Sequence, residues 1–359
     1  MEFNDIAIYL LQCLNMALGN SIQGETSYTN SFEILVKEDG VFFIPRLPAA
    51  YVIDSDLYEK IYMILSVALY PNFTLLKQTS IYLVPVETDD YHIQRALFFP
   101  WKKGISSRLV ISDIEEFSAN MVNERIPIMQ NLNIEYNRVT SIAIAGSTGS
   151  GKSYMLTYLL NILKGISDLI IVDPKFDSPS RWAKYHQIPV IYPSPNRAKS
   201  DFVSEVNASL SECLKIIHSR QSELFKDPTI KFRHLTIVID EVLALSEGVN
   251  KNIKEAFFSL LSQISLLGRA TRVHLLLVSQ RFDHNAIPVS VREQVSVVIQ
   301  VGNINNRSAQ FLFPDLNVEG IVIPTGKGTG LIRVIDSEEP YQVLPLLCPT
   351  FYTKGDYYA

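Results

Sequence analysis

The sequence predicts an α/β protein in two parts. From residue 131 it reads as a mainly parallel sheet with helices on both faces, and residues 1–130 read as a small α+β module. Three observations predict this. Short β-branched runs alternate with longer helical stretches from 131 onward, which is the pattern of a parallel sheet joined by crossover helices. One strand-to-helix turn in that region is glycine-rich and ends in Lys152-Ser153. Residues 1–130 show no such alternation and mix short elements instead.

In the first part, residues 4–18 have helical spacing. Phe32–Pro45 reads as two strands around the turn Glu38-Asp39-Gly40. Leu57–Leu69 is helical, and Ile81–Val86 and Leu109–Ile111 read as strands. In the second part the expected strands are Ser141–Ala145, Leu169–Asp173, Val190–Tyr192, Leu235–Asp240, His274–Val278 and Ser296–Val301. Helices are expected over Lys152–Leu163, Phe202–Phe225, Ile253–Leu267 and Val289–Gln294. Gly330–Asp336 and Gln342–Leu347 read as a closing antiparallel hairpin.

Composition narrows the class. With 359 residues, 47% of them hydrophobic and 19% charged, the chain can bury a substantial core, which excludes wholesale disorder. Its net charge is −5, so no global basic field holds nucleic acid. That charge is uneven: residues 1–130 carry −7 and residues 131–359 carry +2. Cys13, Cys213 and Cys348 lie far apart, which argues against a disulfide framework or a zinc site. The six histidines show no ligand spacing. The apolar run Ile6–Leu18 falls short of the roughly 20 residues a membrane span needs. The expectation is a cytoplasmic protein without an intrinsic span, its N-terminal module meeting protein partners.

Gly146-Ser147-Thr148-Gly149-Ser150-Gly151-Lys152-Ser153 fits the phosphate-loop pattern G-x-x-x-x-G-K-[ST] at every fixed position. Glycines let the backbone turn sharply and aim N–H groups at phosphate oxygens, and the helix that follows adds its positive end. Lys152 is expected to reach the β- and γ-phosphates of ATP, and the Ser153 hydroxyl to ligate Mg²⁺. Downstream, Leu235–Ile239 is an apolar run ending in Asp240-Glu241. Asp240 is the candidate for Mg²⁺ and its water shell, and Glu241 for the general base that orients water. An acidic pair there favours hydrolysis over mere nucleotide binding.

Beyond these motifs the chain resembles the FtsK/SpoIIIE branch of the FtsK–HerA motor ATPases, over about 131–335. The resemblance rests on Ala145–Ser153, on Ile171-Val172-Asp173-Pro174-Lys175, on Gly268-Arg269-Ala270-Thr271-Arg272-Val273-His274-Leu275, and on Val278-Ser279-Gln280-Arg281. It implies a RecA-like P-loop NTPase fold over 131–359 and a hexameric ring that hydrolyses ATP and pulls DNA through its centre. Val291-Arg292-Glu293-Gln294 with Gly302-Asn303 looks most like the coupling ATPases of Gram-positive conjugative plasmids and integrative elements. Such proteins usually carry N-terminal membrane spans, and none is expected here. The sequence ends soon after the closing hairpin, so sequence-directed orientation on DNA is not expected.

The resemblance also implies residue roles. Gln280 matches the position that senses the γ-phosphate. Arg292 and Arg307, with Arg269 as a third, are candidates for the arginine that completes a neighbour's site. Asp173 and Lys175 either organise the nucleotide edge or form an internal ion pair, and His274 reads as a core histidine. DNA contact is expected from bases between the phosphate-loop helix and the acidic pair, and from Lys251 and Lys254 in the loop after it. A relaxase or membrane-channel protein is the expected partner of the N-terminal module. The alternatives are a ring ATPase driving protein secretion, a DNA pump for plasmid or chromosome segregation, and a nucleotide-gated scaffold without turnover.

Overall fold

A computed structural model of the chain describes residues 2–19, 31–49, 51–121, 124–324, 326–335 and 342–353. The chain packs as two compact units: residues 1–106, 315–324 and 341–345, and residues 107–314, 325–340 and 346–359. Packing divides the chain at 106 and returns 315–324 and 341–345 to the first unit, whereas the sequence pattern changes at about 130.

In the first unit, helix α1 (Phe3–Gly19) buries Ile6, Leu10, Leu14 and Leu18, one stripe at four-residue spacing. Strands β1 (Phe32–Lys37) and β2 (Gly40–Pro45) form the expected hairpin. Helix α2 (Ser55–Leu69) starts where the Asp54 carboxylate accepts the Leu57 N–H at 2.9 Å. Short strands β3 (Phe73–Leu75), β4 (Lys77–Gln78) and β5 (Leu83–Pro85) lead to β6 (Arg95–Lys103). The long strand β6 is the hub, pairing antiparallel with β2, β3 and β5. It was not expected from the sequence, because Arg-Ala-Leu-Phe-Phe-Pro-Trp-Lys-Lys lacks alternation and carries an internal proline. Leu10, Leu14, Phe43, Ile61, Tyr62, Leu65 and Phe99 are fully buried between these helices and the sheet.

The second unit opens with β7 (Val110–Ile111), α3 (Ile114–Ala119) and a hairpin of β8 (Arg125–Met129) and β9 (Leu132–Glu135). There follow β10 (Ser141–Gly146), α4 (Lys152–Ile166), β11 (Ser167–Val172), α5 (Ser178–Tyr185), β12 (Val190–Ile191), α6 (Lys199–Lys226) and β13 (His234–Ile239). Next come α7 (Leu243–Ser246), α8 (Lys251–Leu267), β14 (Val273–Ser279), α9 (Val289–Glu293), β15 (Val297–Val301), α10 (Asn306–Ala309), β16 (Thr329–Val334), β17 (Gln342–Leu347), of which residues 342–345 belong to the first unit, and β18 (Thr350–Phe351). All six expected strands occur, each within two residues of its expected ends. Helix α5 and the β8–β9 hairpin were not anticipated. Asp336, at the end of the expected strand before the closing turn, lies outside the described residues.

The sheet order is β12-β11-β13-β14-β10-β15-β16. The first six strands are parallel and β16 runs antiparallel to β15. Every residue of β10, β13, β14 and β15 is buried. Neighbouring residues of a strand point to opposite faces, so helices cover both. The turns after β10, β11, β13 and β14 therefore open on one edge of the sheet, where open α/β folds bind ligands.

The opposite edge holds a buried polar cluster. His274 Nδ1 lies 2.8 Å from the Val139 carbonyl, which can only accept, so that nitrogen carries the proton. His274 Nε2 then accepts from His234 Nδ1 at 2.7 Å. Arg272 closes the cluster by donating to Glu124 at 2.6 Å. His274 is 1% exposed, as a core histidine should be.

Candidate nucleotide site

Strand β10 delivers the glycine-rich loop and α4 begins directly behind Gly151. The loop's N–H groups and the helix's positive end therefore share one space. Gly149 and Gly151 stand at φ +77° and +107°, in the left-handed region where a side chain would be strained. Gly302 has a packing duty: a Cβ there would lie 2.7 Å from the Ser150 Cβ. Ser147, Thr148, Gly149 and Ser153 are exposed. Lys152 curls over the loop and donates to the Gly146 carbonyl at 2.6 Å and the Ser147 carbonyl at 3.1 Å. Burial lowers its pKa and nearby Lys175 adds to this, while Glu241 and Asp240 oppose it.

Across the sheet edge, Asp240 and Glu241 follow β13 and are 9% and 6% exposed. Burial, then the neighbouring Asp173, pushes the Asp240 pKa up to about 6, with Lys175 and Lys152 pulling the other way. Glu241 takes φ +50°, a conformation that costs a non-glycine residue about 1–3 kcal/mol. Its Oε2 accepts from Lys175 Nζ at 2.6 Å. Its Oε1 accepts long contacts from the Gln280 backbone N–H (3.3 Å) and Ser279 Oγ (3.4 Å). Strand β14 lies between β10 and β13, so Gln280, just past its end, stands between the phosphate loop and the acids. The Gln280 side chain is exposed.

The Asp-Pro-Lys segment resolves into two duties. The fully buried Asp173 carboxylate accepts the Lys175 (3.0 Å), Asp177 (2.8 Å) and Ser180 (3.1 Å) N–H groups and the Ser180 hydroxyl (2.6 Å), fixing the entry to α5. Lys175 pairs with Glu241 instead of with Asp173. Partial burial disfavours the Lys175 charge, but Glu241 outweighs it and raises the pKa.

The remaining candidates do not converge as closely. Arg307 is exposed on α10, beyond the β15 end that adjoins the loop. Arg292, on α9, donates to the Phe282 carbonyl at 3.2 Å. Arg269 is exposed ahead of β14, at the far edge of the sheet from the phosphate loop. Lys251 and Lys254 fall in the first turn of α8 rather than in a loop. Lys251 is 84% exposed and 3.7 Å from Glu255, and Lys254 lies over the Phe258 ring.

A run of backbone N–H groups, one lysine, an exposed serine hydroxyl and a buried carboxylate across the edge together suit a Mg²⁺-bound nucleoside triphosphate. Fold and site define the class: a P-loop ATPase fold whose extra strand, β14, separates the phosphate-loop strand from the acid strand.

Within that class the chain is similar to FtsK-type ATPases. It is 21% identical over 201 residues to the FtsK domain-containing protein YdcQ of Bacillus subtilis (strain 168), a match covering 54% of this chain and 41% of YdcQ. The chain thus spans less than half the length of that relative. Among solved structures it shares its fold with the pCW3 conjugation coupling protein TcpA in its monomer form with ATPγS. That match has a TM-score of 0.55 at 17% identity, and covers 96% of this chain and 95% of TcpA. EssC (ATPases 2 and 3) from Geobacillus thermodenitrificans matches with a TM-score of 0.52 at 14% identity, over 70% of this chain and 48% of EssC. No family model matches the chain. No described helix is long and apolar enough to cross a membrane.

Proposed function

We propose that this chain is an ATP-hydrolysing DNA translocase that works as a hexameric ring, the coupling ATPase for conjugative transfer or mobilisation of a plasmid or integrative element. The observation that carries the reading is the buried Glu241 carboxylate, held beside Gln280 on the same sheet edge as the phosphate loop. The loop from Gly146 to Ser153 holds the triphosphate, and Lys152 leaves its carbonyl partners to meet the β- and γ-phosphates. Ser153 and Asp240 would hold Mg²⁺, which when bound would neutralise charge developing on the phosphates. Glu241 takes the proton of the attacking water, and Gln280 reports the γ-phosphate to β14. Arg307 or Arg292 of a neighbouring copy completes each site.

A glutamate that is paired and buried cannot act as a base until Lys175 is drawn away, so turnover is coupled to a change at that pair. The acidic first 130 residues suit docking on a protein, a relaxase or a membrane-channel component. DNA is gripped locally, by bases such as the exposed Lys251 and the half-buried Lys254 repeated around the ring.

The test is ATPase activity with single-stranded, double-stranded and no DNA, beside sizing with and without nucleotide. Glu241→Gln should abolish turnover and spare ATP binding, and Lys251→Glu with Lys254→Glu should remove DNA stimulation. Turnover that DNA leaves unchanged would favour a second reading, a ring ATPase driving protein secretion.

A further inference from the structure

Beside the phosphate loop runs a glycine-lysine-glycine segment, Gly326-Lys327-Gly328, that the roles above leave unused. A Cβ placed on Gly151 would sit 3.4 Å from the Gly328 Cα and 3.7 Å from its nitrogen. The segment therefore passes close to Gly151, the residue just before α4, leaving room there for no more than a methyl group.

Its carbonyls are all tied back. The Gly326 carbonyl accepts from Thr329 Oγ1 (3.0 Å), that of Lys327 from Arg108 Nη2 (2.8 Å), and that of Gly328 from the Cys348 N–H (2.8 Å). The Arg108 fork closes on the Cys348 carbonyl at 2.7 Å. Thr329 anchors the exit, its carbonyl accepting the Gly302 N–H at 2.8 Å. Among the described residues, the N–H groups of Gly326, Lys327 and Gly328 have no acceptor, and the exposed Lys327 ammonium has no partner. Gly326 and Gly328 both have positive φ, +129° and +68°. A segment with every carbonyl engaged, its N–H groups unspent and a lysine at its centre offers only donors, so its ligand is an anion.

We infer that Lys327, with the N–H groups of Lys327 and Gly328, is a second phosphate-contacting element of the nucleotide site. It grips the phosphate chain of ATP or ADP beside the phosphate loop, and Arg108 is its positioning residue. This rests on the nucleotide-binding reading above.

The test is titration of the full chain with a fluorescent ADP and with ATP in competition, in wild type, Lys327→Met, Lys327→Arg, Arg108→Met and Lys152→Ala. Lys327 is exposed, so its variants should melt as wild type does. Lys327→Met should weaken both nucleotides about tenfold, the loss of one charge-assisted hydrogen bond, with a shallower salt dependence. Lys327→Arg should recover most of the affinity, and Arg108→Met should lose it in part. Unchanged affinity in Lys327→Met, with binding lost in Lys152→Ala, would overturn this inference alone. Affinity unchanged in Lys152→Ala as well would remove the nucleotide reading and this inference with it. A Lys327→Met variant that binds nucleotide normally but loses salt-sensitive DNA binding would assign the lysine to the nucleic-acid backbone and equally overturn the inference.

Discussion

Glu241 is the most constrained residue of the candidate site. It is buried, carries a left-handed backbone and is paired with a half-exposed lysine from the neighbouring strand. That pairing also sets the charge of Asp240, because Lys175 is the largest influence lowering the Asp240 pKa. Lys175→Met should therefore raise that pKa further above about 6. In the proposed role Asp240 must be ionised to hold Mg²⁺, and in the variant it would lose its charge at a higher pH. The acid limb of kcat/KM should move upward in pH relative to wild type. An unmoved limb would show that Asp240 titration does not limit the reaction. The acids stand out in the sequence because a complete phosphate-loop pattern precedes them, since an apolar run ending in polar residues is common by itself. Their lysine was not assigned, because Lys175 and Glu241 are 66 residues apart and meet only once β11 and β13 pair.

At the scale of elements, Asp173 joins the end of β11 to the start of α5. Its carboxylate satisfies three backbone N–H groups and a hydroxyl in a place water does not reach. Asp173→Ala strands those donors, of which the Ser180 N–H and hydroxyl are buried, and leaving a buried donor unsatisfied costs about 1–3 kcal/mol. The variant should melt about 6 °C or more below wild type, and Ser180→Ala, which removes only the hydroxyl, should fall much less. Equal melting temperatures would show that water replaces the carboxylate. Strand–helix alternation announced the parallel sheet because buried β-branched runs have a strong pattern. It could not give the order of strands, and that order is what places Gln280 between loop and acids. Two other elements escaped for local reasons. Strand β6 has an internal proline and no alternation, and α5 is short with Pro179 in its first turn.

At the scale of the whole molecule, the buried histidines tie the stability of the second unit to pH. Burial, then the charge of Arg272, lowers the His234 pKa. Burial, then His234, pushes that of His274 down to about 3, against an ordinary value of 6.5. Below pH 6.5 the unfolded chain takes up protons that the folded chain refuses, so stability falls as pH drops from 6.5 toward 3. Asp240 opposes this between about 6 and its ordinary 3.8, because its raised pKa favours proton uptake by the folded state. The urea midpoint, followed through the buried Trp182 in a Trp101→Phe background, should fall between pH 7 and pH 4. A His234→Gln/His274→Gln variant should show a shallower fall, and an equal slope would exclude the histidines as its cause.

The same cluster gives the central strand a further significance. Strand β14 has Gln280 beyond one end and Arg272 before the other, and β10 and β13 hold it along both sides. At about 3.3 Å per residue its seven residues span roughly 23 Å. An extended chain flanked by two ladders neither stretches nor slips without breaking many bonds at once. A load applied at Gln280 is therefore shared with β10 and β13, so these three strands move as one piece or not at all.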